Sequence, residues 1–188
     1  MVDETYNFIV NKLDEASVLS GGPQRTVMGN LVENMIDFIW EQMQIKYPNV
    51  DSKIVVGKSM PITITNSGGS IQESVDRHCY INNKVVACIE CKTYLDKCYM
   101  QRADSDFALM KEGADFDAII ISLENAIGDN SFNFFMNRNN IDFVFYLADG
   151  KRNSKNHISR HAEKINKEKI AIFVDKIESY FKEAINVE

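Results

Sequence analysis

Three residues have types and spacing suited to chemistry: Asp76, Glu90 and Lys92. The stretch between them reads as a β-hairpin, with His78-Cys79-Tyr80-Ile81, then Asn82-Asn83, then Lys84 through Lys92. A two-residue turn at Asn82-Asn83 pairs Ile81 with Lys84, so Asp76 falls opposite Ile89 and Val75 opposite Glu90. Strand alternation puts Cys88, Glu90 and Lys92 on one face and Ala87, Ile89 and Cys91 on the other. Asp76 and Glu90 are then diagonal neighbours, and a bulge or a longer turn is needed to bring both carboxylates onto one metal ion. Crowded carboxylates repel, and a hard divalent cation relieves the repulsion. Mg²⁺ fits, because it takes oxygen ligands and keeps several waters. The main-chain carbonyl of Cys91, between Glu90 and Lys92, is a further candidate ligand. A water acidified by the cation can attack phosphorus, and Lys92 can orient or deprotonate that water and offset phosphate charge. The set suits phosphodiester hydrolysis. The bland alternative is an ion pair at a sheet edge, worth ~0–1 kcal/mol. Against it stands the apolar run Val85-Val86-Ala87-Cys88-Ile89 that leads into Glu90.

Regular elements must position these residues. Residues 4–18 read as an amphipathic helix, ended by Gly21-Gly22-Pro23. A stronger helix runs from about Thr26 to Tyr47, with Leu31, Met35, Phe38, Ile39 and Met43 on one face. Ile54-Val55-Val56 and Ile62-Thr63-Ile64 read as strands, and 65–72 as a ligand-contacting or hinge loop. After the hairpin, Thr93 is a candidate cap for a helix reaching Lys111. Phe116 to Leu123 and Phe143 to Ala148 read as buried strands. The Asn-rich segment 126–140 holds an aromatic cluster at Phe132, Phe134 and Phe135, read with Phe143 as core or interface. A polar, basic loop spans 149–156, and a long helix runs from His157 to about Asn186. The order implies an α/β sandwich with a mixed sheet, in a single domain over 1–188.

Val75-Asp76, a hairpin, then Glu90-Cys91-Lys92 resembles the PD-(D/E)XK signature of the restriction-endonuclease-like nuclease superfamily. The segment Ile89 to Lys97 is similar to the ExK segment of several type II restriction endonucleases, and the resemblance covers roughly 27–148. Val75 stands where the family carries proline, which removes no ligand. The resemblance implies a restriction-endonuclease-like core, with a mixed central sheet and a hairpin flanked by helices. It implies Asp76 and Glu90 as metal ligands, Lys92 serving the attacking water, and Glu33 as an auxiliary acid from the first long helix. The expected protein is a Mg²⁺-dependent type II restriction endonuclease acting on double-stranded DNA. Alternatives are a repair or recombination nuclease of the same fold, or a non-catalytic DNA-binding or assembly protein. Cutting both strands of a palindromic site implies a two-fold homodimer.

Candidate DNA contacts are spread along the chain. Lys97 and Arg102 lie on the helix after ExK, and Lys151, Arg152, Lys155 and Arg160 form the densest basic patch. Lys58, Asn66 and Gln72 lie in or beside the polar loop, and Arg77 follows Asp76. Asp37 shares a helix face with Glu33, and Asp96 is placed to orient Lys92 if the helix begins early. Cys88-x₂-Cys91, with Cys79, Cys98 or His78, has permissible zinc spacing, but alternation points the two thiols to opposite faces. His157 and His161 stand at i, i+4 without a nearby acid partner.

The chain has 188 residues, 45% hydrophobic and 26% charged, with 9 Gly and 3 Pro, which excludes disordered and low-complexity classes. No apolar run approaches the roughly 20 residues that span a bilayer, so no membrane partner is expected. The start lacks a secretion signal, and four cysteines inside one 20-residue window read as free thiols, so a cytoplasmic location is expected. A formal charge of -6 excludes a uniformly basic coat but not a local basic surface.

Overall fold

A computed structural model describes residues 1–57, 62–64, 71–152 and 162–186. Helices α1 (Val2–Ser17) and α2 (Gly21–Lys46) precede strands β1 (Ser52–Val56), β2 (Ile62–Ile64), β3 (Ile71–Glu73), β4 (Arg77–Ile81) and β5 (Lys84–Leu95). Helix α3 (Lys97–Lys111), strand β6 (Asp117–Asn125), helix α4 (Asp129–Met136), strand β7 (Phe143–Tyr146) and helix α5 (Lys167–Asn186) follow. Strands β1, β4, β5, β6 and β7 form one mixed sheet in that order; β2 and β3 pair separately. The pairs β1–β4 and β4–β5 are antiparallel, whereas β5–β6 and β6–β7 are parallel. Among the described residues, no helix is long and apolar enough to cross a membrane.

Both faces of the sheet are covered, which explains the continuous apolar run in β6. Ile119, Ile121 and Leu123 of β6 face one core with Ala87, Ile89 and Cys91 of β5, Trp40 of α2 and Phe173 and Phe181 of α5. Ala118 and Ile120 face the other core with Cys88, Met100 and Phe107 of α3 and Phe135 of α4. The expected alternation of β5 is therefore realised, and Cys88 and Cys91 lie on opposite sides of the sheet.

Several boundaries differ from the sequence expectation for physical reasons. Gly21-Gly22-Pro23 opens α2 rather than ending α1; proline lacks an N–H, and the first turn of a helix does not need one. Helix α3 begins after Asp96, whose carboxylate accepts the Tyr99 N–H at 2.9 Å. Thr93 does not cap it, because β5 continues past Thr93 and pairs Tyr94 and Leu95 with β6. Helix α4 occupies part of the Asn-rich segment, with Phe132, Phe135 and Met136 as its inward residues. Strand β3 begins inside the expected 65–72 loop, at Ile71, and runs on to Glu73. The last helix starts at Lys167, after a 3-10 turn at Ala162–Lys164; His157, where the sequence expectation begins it, lies outside the described residues.

Candidate active site

The hairpin turn forms as its sequence requires. Asn82 and Asn83 both adopt positive φ, at 50° and 61°, in a two-residue turn that pairs Ile81 with Lys84. The register then shifts: Tyr80 pairs with Val85 but Cys79 pairs with Ala87, so Val86 is an extra residue on β5. This bulge moves the β4–β5 register by one residue. Arg77 stands opposite Ile89, and one step further Asp76 stands beside Glu90. The simple count had put Asp76 opposite Ile89; Val86 supplies the bulge that count needed.

The result is a tight cluster at one end of the hairpin. Asp76 Oδ2 accepts the Cys91 N–H at 2.7 Å and lies 3.7 Å from Lys92 Nζ. Lys92 also pairs with Glu90 Oε1 and donates to the Cys91 carbonyl at 3.0 Å. Three oxygens from Asp76, Glu90 and Cys91 thus surround one ammonium. Glu90 is the most enclosed of the three side chains, at 13% exposure against 19% for Lys92 and 30% for Asp76. Burial raises the Glu90 carboxyl pKa; the Lys92 ammonium opposes that rise and the Asp76 charge adds to it. Burial also works against the Lys92 ammonium, but Glu90 and Asp76 outweigh it and hold the lysine above its ordinary value.

Helix α3 covers this cluster. Tyr99 lays its ring 5.6 Å from Lys92 Nζ and meets Tyr94 edge-on, with centroids 5.4 Å apart. Asp106 adds to the field at Glu90 and pairs with Arg102 at 3.6 Å. Gly57, just after β1, approaches the backbone that carries Asp76: its N–H donates to the Asp76 carbonyl at 3.3 Å. A Cβ on Gly57 would lie 1.5 Å from the Val75 carbonyl oxygen, so only glycine permits this approach.

Behind the cluster lies a second charged group. Arg77 points to the other face of β4 and is buried. Its Nε and one terminal nitrogen bind both Asp37 oxygens, at 2.6 and 2.7 Å. The other terminal nitrogen donates to Glu33 Oε2 at 3.0 Å and to the Asp76 carbonyl at 2.8 Å. Expected as a DNA contact, Arg77 instead bolts α2 to β4, because two α2 carboxylates claim its fork. Glu33, expected as an auxiliary acid, is held by the same guanidinium.

The remaining candidates scatter. Arg102 is largely exposed at the rim of α3, and Lys97 faces α4. Lys151 pairs with Asp129 at 2.7 Å, and Arg152 stacks on the Tyr94 ring at 3.7 Å. Asp96 caps α3 and does not orient Lys92. Lys58, Asn66, Lys155, Arg160, His157 and His161 lie outside the described residues, and of Gln72 only its place in β3 is described. The four cysteines are free thiols: Cys79, Cys88 and Cys91 are buried, and Cys98 is exposed. Gly57, Tyr99 and Asp106 escaped the sequence reading. Only Gly57 carried a signal, as a glycine directly after an apolar strand.

Chemically, the cluster offers two carboxylates and a carbonyl to a hard cation. Among the described residues, no three His, Cys, Asp or Glu side chains gather into a metal-holding group. The donor set is all oxygen and incomplete, which fits Mg²⁺, a cation that fills its shell with water. The features so far define an α/β protein with a five-stranded mixed sheet and an Asp–Glu–Lys cluster on a bulged hairpin. No protein-family model matches the chain, and no curated protein sequence matches it.

Proposed function

We propose that this protein is a Mg²⁺-dependent endonuclease of the PD-(D/E)XK class, hydrolysing phosphodiester bonds of double-stranded DNA in the manner of a type II restriction endonuclease. One observation carries the reading: the Val86 bulge that sets Asp76 beside Glu90, with Lys92 and the Cys91 carbonyl on the same spot. The element order α2, β1, β4, β5, α3, β6 supports a restriction-endonuclease-like core.

Asp76, Glu90 and the Cys91 carbonyl would hold the cation. When bound, it supplies charge stabilisation at the phosphate and a more acidic water. The Cys91 N–H fixes the Asp76 carboxylate, and the rigid strand fixes Glu90. Lys92 is held protonated by its two carboxylates, which favours a role as hydrogen-bond donor to the water and the phosphate over one as general base. Cleavage of both strands calls for a two-fold dimer on the DNA; a monomer in gel filtration, free and DNA-bound, would refute that part.

The test is incubation of long unmodified duplex DNA with Mg²⁺, beside a chelator control and Glu90→Ala. Discrete fragments lost in both controls support a site-specific nuclease, and a smear lost in both supports a repair or recombination nuclease. One observation favours a non-catalytic DNA-binding protein: the Lys92 ammonium already neutralises Glu90. Absence of cleavage, with no Mg²⁺ binding by calorimetry in the presence of DNA, would establish that reading instead.

A further inference from the structure

On the far side of α3 from Lys92, a cavity of ≈490 Å³ opens between α3 and α4. That volume falls within the range that takes small organic ligands. Its walls carry Lys97 and Gln101 from α3, Asn130 and Ser131 from the first turn of α4, then Phe134 and Arg138. The mixture is specific in character: two cations, two amides, a hydroxyl and two aromatic rings, the second being Phe135.

Phe134 is the unusual member. Its neighbours Phe132 and Phe135 pack into the core on the α3 face of the sheet, as the sequence suggests, whereas Phe134 is 59% exposed. It is also braced. The buried Phe135 meets it edge to face, with centroids 5.2 Å apart and planes at 81°. An exposed ring held by a buried one is a rigid platform, which lowers the ordering cost of stacking a planar ligand on it.

The cations are differently prepared. Arg138 is anchored from behind: its Nε forms an ion pair with Asp104, itself 1% exposed, at 3.1 Å, and Asp104 also accepts from the Asn140 amide at 3.0 Å. Lys97 has no carboxylate partner among the described residues and is exposed, so its charge is available. The acidic residue in the first turn of α4, Asp129, is paired with Lys151. No side chain caps that turn, so its first amides stay open to an acceptor. The wall therefore presents an anion-seeking edge beside an aromatic face.

We propose that this cavity binds a nucleobase carrying a phosphate, stacked on Phe134 with the phosphate toward Lys97. Every base has a π-face, so stacking would be tolerant of base identity, while Gln101 and Asn130 offer hydrogen bonds to its edge. Arg138 supports the platform side of the ligand through cation–π contact or a second phosphate. The inference rests on the cavity alone and does not need the cleavage chemistry.

The test uses Phe134→Trp as a reporter. Native Trp40 is fully buried, so ligand-dependent quenching reports position 134. With chelator present, deoxyadenosine 5′-monophosphate should quench saturably, and Lys97→Ala in the same background should weaken it about tenfold. In the native chain, calorimetry should give about a tenfold loss for Phe134→Ala, the low end of what stacking one base supplies. Glu90→Ala should change neither, which separates this site from the proposed cleavage centre. Tighter binding of a tetranucleotide than of the mononucleotide supports a nucleic-acid strand as the source, and equal binding supports a free nucleotide. Absence of saturable quenching by either ligand at millimolar concentration would overturn the proposal. So would a response to the mononucleotide that inorganic phosphate reproduces, or that neither Phe134→Ala nor Lys97→Ala diminishes.

Discussion

Glu90 and Glu178 both pair with lysine and expose little of their side chains, 13% and 9%, yet their surroundings drive them in opposite directions. Glu178, on α5, accepts from Lys46 and from the Tyr47 hydroxyl at 2.5 Å on one oxygen, and from Lys182 at 2.9 Å on the other. These donors pull its carboxyl down to about 2. Glu90 has one lysine, which it shares with Asp76 and a carbonyl, and burial raises its carboxyl above the ordinary value. Glu178 is a finished structural joint between α2 and α5. Glu90 is a carboxylate short of donors beside a second carboxylate, and that deficit is what a hard cation repairs. Donors outweigh burial at Glu178 and do not at Glu90, and that balance separates the joint from the site.

The largest effect tests the deficit itself. Glu90→Ala removes one of the two carboxylates that would hold the cation. Mg²⁺-dependent cleavage should fall by at least about a hundredfold, with the thermal transition little changed. Unchanged cleavage would strip Glu90 of its role and leave it a joint like Glu178. A collapse of the fold would have the same meaning, because a site built for function is not expected to carry stability.

Next in size is the clamp behind the site. Arg77→Leu leaves Asp37 and Glu33 without their shared cation. Both carboxylates are about one-third exposed, at 34% and 31%, so water can recover part of the loss. We expect about 2–3 kcal/mol from chemical denaturation, below the 3–5 kcal/mol of a fully enclosed pair. Arg77→Lys should recover only part of it, because an ammonium cannot grip both Asp37 oxygens. A loss under about 0.5 kcal/mol for Arg77→Leu would make this group a surface ion pair and erase the distinction between clamp and site.

Arg77 also marks where sequence reading stops. The hairpin was legible because Asn-Asn favours the positive φ of a tight turn and the flanking alternation fixes which face each residue takes. The need for a bulge was legible too, from counting; its position was not. Val86 sits in an unbroken apolar run, and nothing local marks one valine as the extra residue. Arg77 looked like a phosphate contact beside Asp76, but its fate depends on Asp37 and Glu33, 40 and 44 residues away. The expected start of α3 at Thr93 fails because β5 continues past it to pair with β6, and Asp96 caps the helix instead. Helix α4 was hidden by its asparagines, whose poor helix propensity masks the inward spacing of Phe132, Phe135 and Met136.

A smaller effect tests the backbone beneath Asp76. Gly57→Ala sets a methyl group against the Val75 carbonyl, so one of the two segments must move. We expect about 1–3 kcal/mol of destabilisation, as for other overpacked sites. Cleavage should fall by more than that loss of folded protein explains, because the displaced strand carries Asp76. Activity that tracks the folded fraction alone would show that the approach of Gly57 serves packing only.

The smallest effect sharpens the comparison from the structural side. Glu178 has a carboxyl depressed below its unfolded value, so its stabilising contribution is complete above the unfolded pKa of about 4.3. That contribution is lost as pH falls from there toward about 2, where the folded carboxyl takes up its proton. Glu178→Gln keeps an acceptor for the Tyr47 hydroxyl, and both lysines are more than half exposed, at 53% and 59%, and can turn to water. The exposed lysines discount the linkage that the depressed carboxyl sets, and the cost near neutral pH should be about 1–2 kcal/mol. The thermal transitions of wild type and Glu178→Gln, followed from pH 7 downward, should converge below about pH 4.3 and meet near the folded pKa. A gap that persists unchanged to low pH would mean that Glu178 contributes through shape and not charge. The contrast with Glu90 would then rest on packing, and the number of donors around a buried carboxylate would no longer tell a joint from a site.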